Sequence, residues 1–315
     1  MNYSSLAMVD VLVCTFRRPA LLLKTLDGIE RCAAKLGNVR IVIVDNDQAQ
    51  SAREVVRHWA LGAKAEVLYL SQPIQNISLS RNMALANATA PWIACIDDDE
   101  VPDEDWLISL LQTAESYEAD VVFAPVVSEF HISAPAWAIE GTLFQRKRFD
   151  TGTVIPLKET RTSNVLLRTE MVANSAFRFD PALGLCGGED SEFFARIAQA
   201  NYRMVWCDEA CVREWTPPNR TTLSWVLRRA FRIGSVEAYN RRRFRRYLDA
   251  GITGSKFFVF VVQGTLFMVF WLPFSSKRSV QAARRIALGA GYFYGLFAGP
   301  YLEYRVAVDR KESAA

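Results

Sequence analysis

Through residue 126 the chain alternates short β-branched runs with longer segments of helical periodicity, and this rhythm constrains its fold more than any other feature. Residues 9–14, 39–44, 66–70, 92–96 and 120–126 predict strands, and residues 20–36, 51–61, 78–87 and 103–115 predict helices. Such alternation implies a mainly parallel sheet covered on both faces. Ligands of these sheets bind outside the carboxyl ends of the strands. Three of the predicted strands run into polar residues there: Thr15 with Arg17, Asp45-Asn46-Asp47, and Asp97-Asp98-Asp99. Parallel strands would bring all three to one crevice.

Composition narrows the chemistry open to that crevice. His58 and His131 are the only histidines and neither lies in a motif, which argues against histidine triads and histidine-rich zinc sites. The six cysteines are scattered without a C-x-x-C, which fits a reducing compartment. The first apolar run, 9–16, is short, contains Asp10 and lacks a basic leader, unlike a secretory signal. A metal would be held mainly by oxygen, which suits Mg2+ or Mn2+. Asp97, Asp98 and Asp99 close an apolar run and repel one another; a divalent cation with a phosphorylated ligand would offset that repulsion. Residues i and i+2 of a strand share a side, so Asp97 and Asp99 would face one cation while Asp98 faces elsewhere. The plainer alternative is an exposed acidic turn ahead of the helix that begins near Asp103. A second acidic pair, Glu189-Asp190, follows Gly187-Gly188 and precedes the helical pattern 191–200, which places Asp190 near an N-cap.

Five blocks in order carry a family resemblance: Thr15-Phe16-Arg17-Arg18-Pro19, Val42-Ile43-Val44-Asp45-Asn46, Asn76-Ile77-Ser78-Leu79-Ser80-Arg81-Asn82, the run 96–100, and Gly188-Glu189-Asp190-Ser191-Glu192-Phe193. Over about residues 8–235 the chain resembles family 2 glycosyltransferases with the GT-A fold, especially bacterial enzymes of exopolysaccharide assembly such as the succinoglycan glucosyltransferases. The resemblance implies that Thr15 and Asp45 contact the nucleobase end of a UDP-sugar, with Arg17 and Arg81 nearby, and that Asp97 and Asp98 line its ribose and sugar. It implies that Asp99, with Asp97, coordinates Mn2+ or Mg2+, that Asp190 is the catalytic base, and that Glu189 supports it or holds an acceptor hydroxyl. A base on the face opposite the leaving group implies a single displacement with inversion; a retaining double displacement, with a nucleophile placed differently, is the alternative the sequence leaves open. The chain lacks the Gln-x-x-Arg-Trp pattern of processive synthases, so one sugar would be added per encounter. Trp215, Trp225, Arg228, Arg229 and Arg232 follow the Glu-Asp pair, where family members close over the diphosphate; a solvated basic face is the alternative.

The tail differs from the body. Residues 1–219 carry 20 basic and 29 acidic side chains, whereas residues 220–315 carry 17 basic and 5 acidic. A helical pattern over 221–248 holds arginines at 241–243, 245 and 246, then residues 257–276 and 286–302 are uncharged. No nucleic-acid motif accompanies the arginines. The expectation is a membrane-associating region, 236–315, lying on the surface or as a re-entrant hairpin, because two full spans would put Lys277, Arg278, Arg284 and Arg285 outside. The soluble alternative is a pair of C-terminal helices buried on the body or on a second subunit.

The sequence therefore predicts an α/β GT-A domain, 1–235, with a basic and hydrophobic helical tail. It would transfer one sugar from a UDP-sugar to a lipid-linked or saccharide acceptor at the cytoplasmic face of a bacterial inner membrane, without nucleic-acid partners. A sugar nucleotidyltransferase would also use paired carboxylates and Mg2+, but would carry a Gly-rich loop after the first strand, and Thr15–Pro19 has no glycine. A non-catalytic membrane scaffold would not need a base at Asp190. Donor sugar, linkage and oligomeric state have no motif in this chain.

Overall fold

A computed structural model describes residues 8–141, 143–173, 177–244, 248–271 and 276–302. The chain divides into two compact units. The first comprises residues 1–129, 146–184 and 189–215; the second comprises 130–145, 185–188 and 216–315.

The first unit is built on the alternation read in the sequence: β1 (Val9–Thr15), α1 (Pro19–Leu36), β2 (Val39–Asp45), α2 (Arg53–Ala60), β3 (Glu66–Ser71), α3 (Ile77–Ala86), β4 (Trp92–Asp97), β5 (Glu100–Pro102) and α4 (Trp106–Ser116). The run expected as one strand over 120–126 is two, β6 (Val121–Phe123) and β7 (Val126–Phe130), and they join different sheets. Pro125 lies between them and cannot donate to a ladder. The order β3-β2-β1-β4-β8-β6-β9 forms a seven-stranded sheet that includes β8 (Val165–Arg168) and β9 (Met204–Trp206). The main sheet is parallel except for β8, which pairs antiparallel with β4 and with β6. A second sheet, β5-β10-β7, is completed by β10 (Val212–Thr216).

Both faces of the main sheet are buried, which explains its β-branched, nearly uninterrupted strands. Val11 and Val13 of β1 face one core with Leu22, Leu26 and Ile29 of α1, while Leu12 faces the other with Val42, Val44 and Phe193. Pro19 opens α1 with its φ already suited to a helix. A Cβ on Gly28 would lie 2.6 Å from Pro102 Cδ, so only glycine lets α1 approach β5, the strand that carries the acidic run away from β4. Register brings Thr15 beside Asp45 and Cys14 beside Asp97, so the polar ends of β1, β2 and β4 meet at one edge.

α6 (Thr169–Ala173) follows β8, and α7 (Glu189–Gln199) follows Gly187 and Gly188, both with positive φ (83° and 89°). In the second unit, α5 (Ala136–Ile139) precedes three long helices: α8 (Leu223–Phe244), α9 (Leu248–Trp271) and α10 (Ser276–Phe297). α8 and α10 pack backbone to backbone: a Cβ on Gly295 would meet Ser235 O at 2.1 Å. Parts of the tail singled out in the sequence, Arg245, Arg246 and residues 272–275, lie outside the described residues. Among the described residues, no helix is long and apolar enough to cross a membrane.

Candidate active site

The sheet edge gathers most of the sequence-selected residues into two linked clusters. In the first, Thr15 Oγ1, at the end of β1, donates to Asp98 Oδ2 at 2.7 Å. Arg18, at the N-cap of α1, reaches the same place: its Nη2 lies 2.8 Å from Asp98 Oδ1, and its Nη1 donates to Asp99 Oδ2 at 2.6 Å. The contact with Asp98 Oδ1 is one of charge only, since its direction does not make a hydrogen bond. Asp98 is fully buried and Asp99 nearly so. Burial pushes the Asp98 carboxyl up to about 7 against the pull of Arg18.

The second cluster is centred on Arg81. Asn76 caps α3 by accepting from the Leu79 N–H, and its own N–H is held by Asn46 Oδ1 from the end of β2. So anchored, α3 presents Arg81 to Glu189 Oε1 (2.5 Å) and to Asp97 Oδ1 (3.9 Å), with its guanidinium 5.5 Å above the Phe179 ring. Glu189 is buried, which raises its pKa despite Arg81, and its Oε2 accepts no hydrogen bond among the described residues. Asp190 is the second residue of α7, one step inside the helix rather than at its cap. Its Oδ1 accepts the Ser191 N–H at 2.7 Å. Asp97 is the most open of the acidic run, with 45% of its side chain exposed.

Asp98 does not face away from Asp99, as the alternation of a strand would have it. Asp98 and Asp99 share Arg18, while Asp97 turns to Arg81. β4 ends at Asp97 and the chain turns through Asp98 and Asp99, so the two-residue alternation of a strand stops before it can apply. Asp45 stands apart from both clusters. It is buried, and its oxygens accept the N–H groups of Asp47 and Ala52 and the Tyr69 hydroxyl, which fastens the loop from β2 to α2. Arg17, held at φ 55°, pairs with Asp47 at 3.1 Å.

Sequence reading assigned no role to Arg18, Glu100, Arg146 or Arg161. Glu100 is fully buried, accepts the Asp97 N–H at 3.1 Å, and has its pKa raised well above the usual range by burial and by Asp97. Arg146 bonds Ser163 Oγ and Glu214 Oε2, and burial with Arg146 beside it pushes Arg161 down to about 10. One signal was available for Arg18: an arginine fixed by Pro19 at a helix start, near carboxylates that follow the neighbouring strand.

The donors at this edge are oxygens, which suit a hard divalent cation. Among the described residues no three His, Cys, Asp or Glu side chains converge to hold an ion by themselves, so phosphate oxygens of a ligand would have to complete its shell. The site thus offers carboxylates for a cation, guanidinium groups for anions and a carboxylate at a helix start for a proton.

Residues 10–179 match the family described as Glycosyl transferase family 2. The succinoglycan biosynthesis protein ExoM of Rhizobium meliloti is 31% identical over 300 residues, covering 91% of this chain and 92% of that one. Among solved structures, the mannosyltransferase PcManGT of Pyrobaculum calidifontis, in complex with GDP-Man and Mn2+, superposes with a TM-score of 0.58 at 16% identity, covering 100% of this chain and 82% of that one. TarS of S. aureus, residues 1–349, gives 0.52 at 13% identity, covering 89% and 90%. The structural likeness supports the fold, a GT-A type α/β sheet, and the sequence matches carry the lineage. The chain belongs to the family 2 glycosyltransferases.

Proposed function

We propose that this glycosyltransferase moves a single sugar, glucose-like, from a UDP-sugar to a lipid-linked or saccharide acceptor in bacterial exopolysaccharide or cell-surface glycan synthesis, with inversion. The observation that carries the reading is the bridge made by Arg81, which ties the Glu189-Asp190 helix start to the acidic run. Donor-side carboxylates and a base are thereby held in one arrangement.

Asp190 serves as the base. Its Oδ1 is fixed by the Ser191 N–H, and Oδ2 accepts no hydrogen bond among the described residues, so it is the oxygen for the proton of an acceptor hydroxyl. Such a base is worth about two to four orders of magnitude in rate. Glu189 holds Arg81, and Arg81 steadies Asp97. Thr15 and Asp45, at the paired ends of β1 and β2, lie on the nucleotide side. Asp99 and Asp97 would hold Mn2+ or Mg2+ together with the donor diphosphate; bound there, the ion offsets the negative charge of the departing nucleoside diphosphate. The exopolysaccharide assignment rests on the likeness to ExoM along nearly the whole chain.

Residues 236–315 would attach the enzyme to the cytoplasmic face of the inner membrane without spanning it. α9 turns Phe258, Leu266, Val269 and Phe270 outward, and α10 opens with Lys277 and Arg278, a combination that suits an anionic lipid surface.

The test is release of the nucleoside diphosphate from a panel of UDP-, GDP- and dTDP-sugars in Mn2+, with and without membranes that carry lipid-linked saccharide. Release from a UDP-sugar, raised by those membranes, is expected. Release from GDP-sugars alone would overturn the donor assignment. Complete recovery of the protein in the soluble fraction without detergent would overturn the membrane assignment.

A further inference from the structure

The contact of Arg18 with two neighbouring carboxylates is unequal in a way that bears on how ligands load. Its main chain is fixed: the Arg18 carbonyl accepts the N–H groups of Leu21 and Leu22, both at 3.1 Å, and Pro19 follows. Only the side chain is free to change partner, and 37% of it is exposed. Asp98 is a rigid partner, wholly buried and locked by Thr15 at 2.7 Å. Asp99, bonded to Nη1 at 2.6 Å, is the partner that carries the cation in the reading above. A cation that takes Asp99 Oδ2 meets a guanidinium already there, and two positive groups on one carboxylate oxygen repel.

We propose that Arg18 couples cation and nucleotide loading: it competes with the divalent cation for Asp99, keeps its hold on Asp98, and turns the released Nη1 to an oxygen of the donor diphosphate. This rests on the donor and cation reading above. The cation alone must displace Nη1 and leave it without a charged acceptor. The diphosphate supplies that acceptor and also shares the ion. Each ligand therefore makes the other bind more tightly, and by linkage the enhancement is the same in both directions. The arrangement would disfavour a cation bound without donor, and a donor bound without cation.

The experiment compares wild type with Arg18→Gln, measuring Mn2+ binding by the electron paramagnetic resonance of free Mn2+, without and with UDP. The Mn2+–UDP complex that forms in free solution is subtracted. In Arg18→Gln, Mn2+ alone is expected to bind about tenfold more tightly, since the competing charge is gone. The enhancement of Mn2+ affinity by UDP is expected to shrink by at least as much. Unchanged or weaker Mn2+ binding by the folded variant, or an undiminished enhancement, overturns the proposal while leaving the donor reading intact. Failure of wild type to bind Mn2+ and UDP at all overturns both. Should Arg18→Gln not fold, wild type alone decides: the 15N resonances of the Arg18 guanidinium, assigned with Arg18→Lys, are expected to move when UDP and diamagnetic Mg2+ are added together. Resonances that stay in place overturn the exchange.

Discussion

Asp10 and Glu100 are both fully buried carboxylates of the first unit, placed at opposite ends of the same run of parallel strands, and the fold treats them in opposite ways. Asp10, near the start of β1, is bonded by Arg40 through Nε (2.8 Å) and Nη2 (2.7 Å) and by the N–H groups of Thr89 and Ala90. Burial alone would raise its pKa, but Arg40 and these N–H groups outweigh it, and the carboxyl sits below its ordinary value. Glu100, just past the end of β4, has three acidic neighbours in sequence and a buried Oε1 that accepts no hydrogen bond among the described residues. Its pKa is raised. A fold at rest satisfies its buried charges, as it does around Asp10. The unsatisfied end is where the proposed function puts a cation, a phosphate and a hydroxyl, ligands that would offset its cost in stability.

The largest effect is expected at Asp190. Asp190→Asn should lower transfer by about two to four orders of magnitude while UDP binding, followed by calorimetry, stays near wild type. A variant that still turns over at a comparable rate removes Asp190 from the role. Next in size, Asp99→Ala should leave a folded protein whose UDP affinity no longer responds to Mn2+, because the cation loses its carboxylate. A Mn2+ response that survives the change takes Asp99 out of the cation site.

At the satisfied end, Asp10→Ala should cost about 3–5 kcal/mol in chemical denaturation, since it leaves two N–H groups without their acceptor and Arg40 with only the Asn87 carbonyl. Activity per folded molecule should be unchanged. The pH dependence has a definite sign. The folded pKa of Asp10 lies below the ordinary 3.8, so its contribution is fully present above that value and is lost as pH falls through the lower folded one. The acid limb of the stability curve should therefore be shallower in Asp10→Ala than in wild type.

The smallest effect is expected from Glu100→Gln. The folded protein binds the Glu100 proton more tightly than the unfolded chain does, so wild-type stability should fall as pH rises from 4.5 toward neutrality. Glutamine can still accept the Asp97 N–H and carries no charge. Its stability at neutral pH should lie within about 1 kcal/mol of wild type, or slightly above, and the decline with pH should flatten. A loss of several kcal/mol would mean that this end is satisfied after all.

Those two ends were not equally legible in the sequence. The alternation of strand and helix through β4 could be read residue by residue because each element buries a periodic pattern of its own. β8 could not: nothing local distinguishes an antiparallel insertion from one more parallel strand. At the site, Asp97–Glu100 and Glu189-Asp190 stood out through charge at places where charge is costly. Arg18 was hidden because its meaning depends on partners about 80 positions away. Asp45 carries a scaffold duty, holding Asp47, Ala52 and Tyr69, that no motif could announce. Asp98 departs from strand alternation for a local reason, since β4 ends at Asp97, two residues short of Asp99.

Asn164 has a consequence for how this architecture can diversify. It sits at φ 53°, wholly buried, where the loop meets β8; its side chain donates to the carbonyls of Pro125 and Ala210 and accepts the Trp106 indole N–H. Three separate segments thus clamp the point at which the chain rejoins the sheet. Changes at exposed positions ahead of that clamp, such as Ile132, can be absorbed without shifting the register of β8 against β4 and β6. Selection can rewrite such exposed positions while the frame behind them stays constant, provided Asn164 is left untouched.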